Sequence, residues 1–188
     1  MGDPKKQRKK YETPRFPWRI DILQAELRLI GQYGLRNKRE LWRHETMLSK
    51  FRGIARSILG MAEEEGGHLK VQLLSRLNRL GILPDTAVLD EVLDLGIQDI
   101  LERRLQSMVF QKGLAKSIYQ ARQFITHGHI AIGRKKVTSP SYLVMRNDEP
   151  QISYALSSTF MNPEHSLRQD LESIPRIKSS DESSQAEA

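Results

Sequence analysis

The apolar positions fall first into helical spacing and later into short alternating runs. Ile20, Leu23, Leu27 and Ile30 recur every three or four residues and predict a helix from Ile20 to Gly34, with Gly31 and Gly34 marking its end. A second helix is expected after Asn37. Asn37 followed by Glu40 has the pattern of a capping box, and Leu41, Met47, Leu48, Phe51, Ile54, Ala55 and Ile58 form an apolar stripe behind it. Glu63-Glu64-Glu65-Gly66-Gly67 reads as a polar loop, after which Leu69, Leu73, Leu77 and Leu80 resume a helix. Leu83-Pro84-Asp85 is a turn, and Thr86–Leu95 reads as a short helix with Asp90, Glu91 and Asp94 on a solvated face.

From residue 99 the pattern changes. Asp99 is placed to cap a helix through Phe110 that stops at Gly113. Ser117 is placed to cap another, with Ile118, Ala121 and Ile125 inward and Gly128 as its stop. Strand signals follow at Ile130–Ile132, Tyr142–Met145 and Gln151–Tyr154, separated by Gly133-Arg134-Lys135-Lys136, Ser139-Pro140-Ser141 and Asn147-Asp148-Glu149-Pro150. The expected fold is α+β: a helical N-terminal region over 20–98, then a module of two helices and a small antiparallel sheet over 99–160. An extended basic arm, 1–19, precedes them. A C-terminal extension, 161–188, ends in the acidic, low-complexity SSDESSQAEA and is expected to be disordered there.

Composition narrows the partner. The 188 residues contain no Cys, which excludes disulfides, thiolate zinc sites and thiol catalysis. No apolar stretch approaches the length needed to cross a bilayer, and the basic Met1–Lys10 lacks the apolar run of a secretory signal, so a cytoplasmic chain is expected. The net charge of +7 points to a polyanion, and the charge is segregated. Residues 1–19 and 36–56 each carry seven basic and two acidic groups, and 102–146 carries nine and one; 84–101 carries five acidic groups and no basic one. Such blocks suit a surface that tracks phosphates, because interspersed charges cancel within a Debye length.

The candidate contacts follow these blocks. The arm supplies Lys5, Lys6, Arg8, Lys9, Lys10 and Arg15, and Phe16 and Trp18, flanking Pro17, either pin the arm to the body or stack on a base. The polar face of the second helix supplies Lys38, Arg39, Arg43, Lys50 and Arg52. In the module Arg103 and Arg104 lie on the first helix and Lys112 and Lys116 in the turn. Arg122 and Gln123 follow on the second helix, and Arg134, Lys135 and Lys136 in the next connection. Guanidinium groups bind phosphate bidentately and ammonium groups tolerate irregular backbone, so this surface suits folded RNA. His127-Gly128-His129 invites a metal reading, but no Cys or carboxylate is close in sequence. A glycine helix cap with imidazoles bonded to RNA or backbone is the simpler reading, and neither metal nor cofactor is expected. A nucleophile elbow, a phosphate-binding Gly-rich loop and a zinc-helix motif are all missing, which argues against an enzyme.

The stretch from Glu102 to Ile132, with its Arg-rich helix, Phe110, Ser117-x-x-x-Ala121-Arg122-Gln123 and Gly128-His129-Ile130, closely resembles the S-four RNA-binding module. YETPRFPW, YGLRNKRELWRHETMLSKFR, ERRLQ, QARQ, GHI and VTSPSYLV resemble, in order, the archaeal form of the small-subunit ribosomal protein four family, up to about Tyr154. The resemblance implies a primary binder of small-subunit ribosomal RNA that assembles early at a multi-helix junction of the 5′ domain. It also implies neighbouring ribosomal proteins, messenger RNA nearby, and the influence on translational accuracy known for the family. By position it implies RNA contacts from Arg103, Arg104, Lys116, Arg122, Gln123, His127 and His129. Gln106 stands where bacterial members commonly have Asp, and the zinc-holding Cys residues of some bacterial members are absent, so neither that contact nor that ion carries over. Two alternatives stay open: an RNA-modifying enzyme tethered by the module, and a free-standing RNA chaperone or ribosome-rescue factor.

Overall fold

The computed structural model describes residues 9–61, 63–162, 165–166 and 168–169. Its first helix, α1, spans Ile20–Gln32, and α2, Lys38–Leu59, starts where the Asn37 side chain accepts a hydrogen bond from the Glu40 N–H at 3.1 Å. Helix α3 covers Glu63–Arg79, and three short helices follow: α4 at Leu89–Asp94, α5 at Ile97–Glu102 and α6 at Leu105–Gln111. Helix α7, Ile118–Thr126, opens on Ser117, whose hydroxyl accepts from the Gln120 N–H at 3.2 Å. The sheet is antiparallel in the order β2-β1-β3, with β1 at Ile130–Ile132, β2 at Lys135–Lys136 and β3 at Ile152–Tyr154. The register sets Ile132 opposite both Lys135 and Ile152.

Among the described residues three apolar clusters hold these elements. Leu48, Phe51, Ala55 and Ile58 of α2 pack with Leu73 and Leu77 of α3 and with Leu89, Val92 and Ile100. Leu105, Val109, Ala121, Ile125, Ile130, Val144 and Ile152 form the second cluster, between α6, α7 and the sheet. Tyr33, Leu35, Leu41 and Leu101 form the third, which joins the start of α2 to α5. The α+β architecture is the expected one, and several details differ from expectation.

Residues 63–67 are helical. Gly66 lies beside the end of α2, where an added Cβ would make ordinary contact, 3.4 Å from the Ile58 carbonyl oxygen. The helix expected over 86–95 is confined to Leu89–Asp94. Asp99 does not cap a helix running to Phe110; it lies inside α5, where its carboxylate accepts from the Gly96 N–H at 2.7 Å. The expected helix breaks at Arg103-Arg104 because residues 140–144 bond to the break. The Leu105 N–H donates to the Tyr142 carbonyl at 2.7 Å, and the Val144 N–H donates to the Arg103 carbonyl at 2.9 Å. That use of its backbone keeps 142–145 out of the sheet; only Leu143 forms a bridge, to Arg104. Lys135 and Lys136, expected in a turn, pair with β1 instead, and the hairpin turns on Gly133-Arg134.

The inner face of α1 also differs. Ile20 and Leu27 are exposed, whereas Glu26 is buried, accepting from the Trp42 indole N–H at 2.8 Å and pairing with Lys38 at 2.8 Å. These two partners outweigh the apolar periodicity in setting the helix's rotation. The acidic end of the C-terminal extension lies outside the described residues.

Gly34 closes the link from α1 to α2 with φ +57°, and a Cβ there would come within 2.8 Å of both Gln106 Nε2 and Ile118 Cγ2. Gly34→Ala therefore meets left-handed backbone and two pinned side chains, and urea unfolding should show a loss of about 2 kcal/mol or more. Gly31→Ala, in helical backbone with nothing within 4 Å, should be neutral or stabilise by up to about 1 kcal/mol.

Candidate nucleic-acid interface

Glu40 lies in the first turn of α2 and faces two guanidinium groups from the other half of the chain. Arg122 of α7 grips it bidentately, Nη2 to Oε1 at 2.6 Å and Nη1 to Oε2 at 3.2 Å, and Arg104 Nη2 reaches Oε2 at 3.1 Å. Gln106 completes the joint. Its amide donates to the Gly34 carbonyl at 2.9 Å and the Ile118 carbonyl at 3.0 Å, and its oxygen accepts from Arg122 at 3.3 Å. Burial pushes the Glu40 carboxyl pKa up, but the Arg122 hydrogen bond, the Arg122 and Arg104 charges and the Arg36 N–H outweigh it and hold it below the ordinary 4.5. The stabilisation is therefore complete above that value and lost as pH falls through the depressed pKa.

The structure thus directs Arg104 and Arg122, expected as RNA contacts, to Glu40. Arg104 is fully buried, and both terminal amino groups of Arg122 are engaged by protein oxygens. Arg103 is likewise turned inward: it pairs with Glu149 at 2.9 Å, donates to the Val144 carbonyl at 3.3 Å and lies against Gly81. Lys112 donates to the Glu149 carbonyl, Arg52 to the Leu95 carbonyl, and Lys38 is held by Glu26. Sequence reasoning missed Glu40 because the capping pattern accounted for it. The signal was available: it is one of two acidic residues in a block of seven basic ones.

Most of the remaining predicted residues among those described lie on the surface. Arg39, Arg43 and Lys50 are exposed along α2, and Lys9, Lys10 and Arg15 along the arm. In the module, Lys116, Gln123, His127, Arg134, Lys135 and Lys136 are exposed, with Lys136 running beside Gly128 at the end of α7. His127 and His129 have ring centroids 6.3 Å apart and do different things. His129 Nδ1 bonds the Ser158 hydroxyl at 2.9 Å and its ring stands edge-on to Phe160, while His127 is exposed. Among the described residues no group of three or more His, Asp or Glu side chains gathers where it would hold a metal ion, and no helix is long and apolar enough to cross a membrane. Lys5, Lys6 and Arg8 lie outside the described residues. Arg36 and Arg56 are exposed beside the α2 set and extend it.

Two helices, a short hairpin with a third strand, and basic side chains left on the outside define a nucleic-acid-binding module fastened to a helical body. The S4 domain family profile matches residues 103–150. Over 160 residues the chain is 52% identical to small ribosomal subunit protein uS4 of Hyperthermus butylicus, an alignment covering 85% of this chain and 91% of that protein. It is 53% identical over 161 residues to uS4 of Sulfurisphaera tokodaii, covering 85% and 91%, and 51% identical over 160 residues to uS4 of Ignicoccus hospitalis, covering 85% and 96%. The chain belongs to the uS4 family of small ribosomal subunit proteins.

His44 lies one turn beyond Glu40 and is buried with no hydrogen-bond partner at either ring nitrogen. Burial, reinforced by the Arg104 charge, pulls its pKa from 6.5 down to about 4. The unfolded chain takes up this proton near 6.5 and the folded one only near 4, so stability should fall as pH drops across that window, by up to about 3 kcal/mol. His44→Leu should flatten most of that fall in urea titrations at pH 7 and pH 5, leaving the loss below 4.5 that belongs to Glu40.

Proposed function

We propose that the chain is a structural constituent of the small ribosomal subunit that binds small-subunit ribosomal RNA at a multi-helix junction of the 5′ domain, in the cytoplasm. Neighbouring ribosomal proteins and nearby messenger RNA complete its surroundings. The observation that carries this reading is the partition of the cations. One set is spent on joining the helical region 20–98 to the module 99–160, and the other is left outside on both halves of the joined body. Arg39, Arg43 and Lys50 on α2, with Arg134, Lys135 and Lys136 on the hairpin, would neutralise phosphates along one folded RNA. Gln123 on α7 and His127 just past its end are suited to hydrogen bonds with bases or 2′-hydroxyls. Lys5, Lys6, Arg8, Lys9, Lys10 and Arg15 would extend the contact along the arm, and Lys116 adds to it at the start of α7. The related proteins bear the names of ribosomal constituents, which supports a binding role over a catalytic one.

The test is affinity for the 5′ domain of the chain's own small-subunit ribosomal RNA and for an unrelated structured RNA, each across a salt series. The ribosomal RNA should be preferred by orders of magnitude at every salt concentration. Replacing Lys135 and Lys136 together by Ala should reduce the salt slope by about two units. Equal affinities that weaken together would overturn the reading in favour of a free-standing RNA chaperone.

A further inference from the structure

The arm reaches the body by contacts upstream of its two bulky aromatics. The Tyr11 ring lies tilted beside Trp42 with centroids 6.1 Å apart, and the Glu12 N–H donates to the Thr46 hydroxyl at 2.9 Å. Downstream, the chain enters α1 through a turn closed by the Arg19 N–H to the Phe16 carbonyl at 3.4 Å, with Pro17 at the position where its fixed φ suits a turn. Phe16 and Trp18 are therefore anchored on both sides, and they are held outward: Phe16 is 57% exposed and Trp18 85%. Arg15 lies over the Phe16 ring at 5.5 Å, and Arg19, whose partner Asp21 is itself exposed, follows Trp18.

We propose that Trp18 is a stacking platform for an unpaired nucleobase of the bound RNA, with Arg15 and Arg19 taking the adjoining phosphates. This rests on the ribosomal-RNA reading above. A planar indole with this much open surface offers a face to any base, and cations on both sides meet the backbone that the base brings with it. Anchoring by Tyr11, Glu12 and the turn lowers the ordering cost of presenting the ring. An aliphatic protein surface would use the indole without needing the flanking guanidinium groups or the exposed Lys9 and Lys10 that lead up to them.

Trp42, half-buried and bonded to Glu26, supplies an internal reference for the experiment, which is tryptophan emission of the full chain titrated with its 5′-domain ribosomal RNA. Sedimentation monitors complex formation separately. Quenching should track complex formation in the wild type and disappear in Trp18→Phe, whose remaining emission comes from Trp42. Trp18→Ala should bind about 5- to 150-fold more weakly, and Trp18→Phe should retain most of the affinity. A complex that forms with unchanged Trp18 emission and unchanged Trp18→Ala affinity overturns the stacking proposal alone. So does quenching that appears only when neighbouring ribosomal proteins are added, which would make the patch a protein contact. Absence of any wild-type complex overturns the ribosomal-RNA reading itself.

Discussion

One carboxylate determines how the two halves of this molecule sit together. Glu40 at the start of α2 holds Arg104 from the break between α5 and α6 and Arg122 from α7, and Gln106 ties the same spot to the Gly34 carbonyl. Two guanidinium groups on one carboxylate leave an excess of positive charge in a largely dry place, and Arg104 has Nε and Nη1 buried without hydrogen-bond partners. Such a cluster is a poor source of net stability against an apolar alternative, but removing one member strands a buried charge at a cost of about 3–5 kcal/mol. It links the first turn of α2 to α7 and to the break before α6. The Leu35, Leu41 and Leu101 contacts beside it carry the hydrophobic part of the joint.

The joint also explains why the basic surface takes the form it does. With Lys38, Arg52, Arg103, Arg104, Lys112 and Arg122 directed to protein oxygens, each half of the chain spends some of its positive charge internally. Among the described residues, the exposed cations of α2 and the hairpin lie on two halves joined by contacts within the chain, so their spacing is set before any RNA is bound. Preorganisation of this kind reduces the ordering cost of binding a folded RNA.

Much of the fold was legible from the sequence because it depends on local rules. Asn37 and Ser117 cap helices as their types require, Gly128 ends α7, and the stripe from Leu41 to Ile58 is buried except at its edges. The departures come from long-range partners. Ile20 and Leu27 have helical spacing, yet the hydrogen bond from Trp42 turns Glu26 inward instead. The 99–110 helix breaks because carbonyls of Pro140 and Tyr142 reach the amides of α6, a pairing across some 35 residues that no local pattern signals. The candidate site divides the same way. The residue types announced a polyanion partner, but whether a given arginine faces RNA or a carboxylate is a property of its neighbours. Arg122 and Arg134 look alike in sequence, yet one is held by Glu40 and the other is exposed on the hairpin.

Whether Arg122 acts through Glu40 rather than on RNA is tested most directly by a double-mutant cycle of Glu40→Gln and Arg122→Gln, followed by urea unfolding with ribosomal-RNA affinity measured on the folded proteins. A coupling on the order of 1–3 kcal/mol in the unfolding free energy is the predicted result. Additive unfolding energies, with Arg122→Gln losing RNA affinity at unchanged stability, would contradict the account.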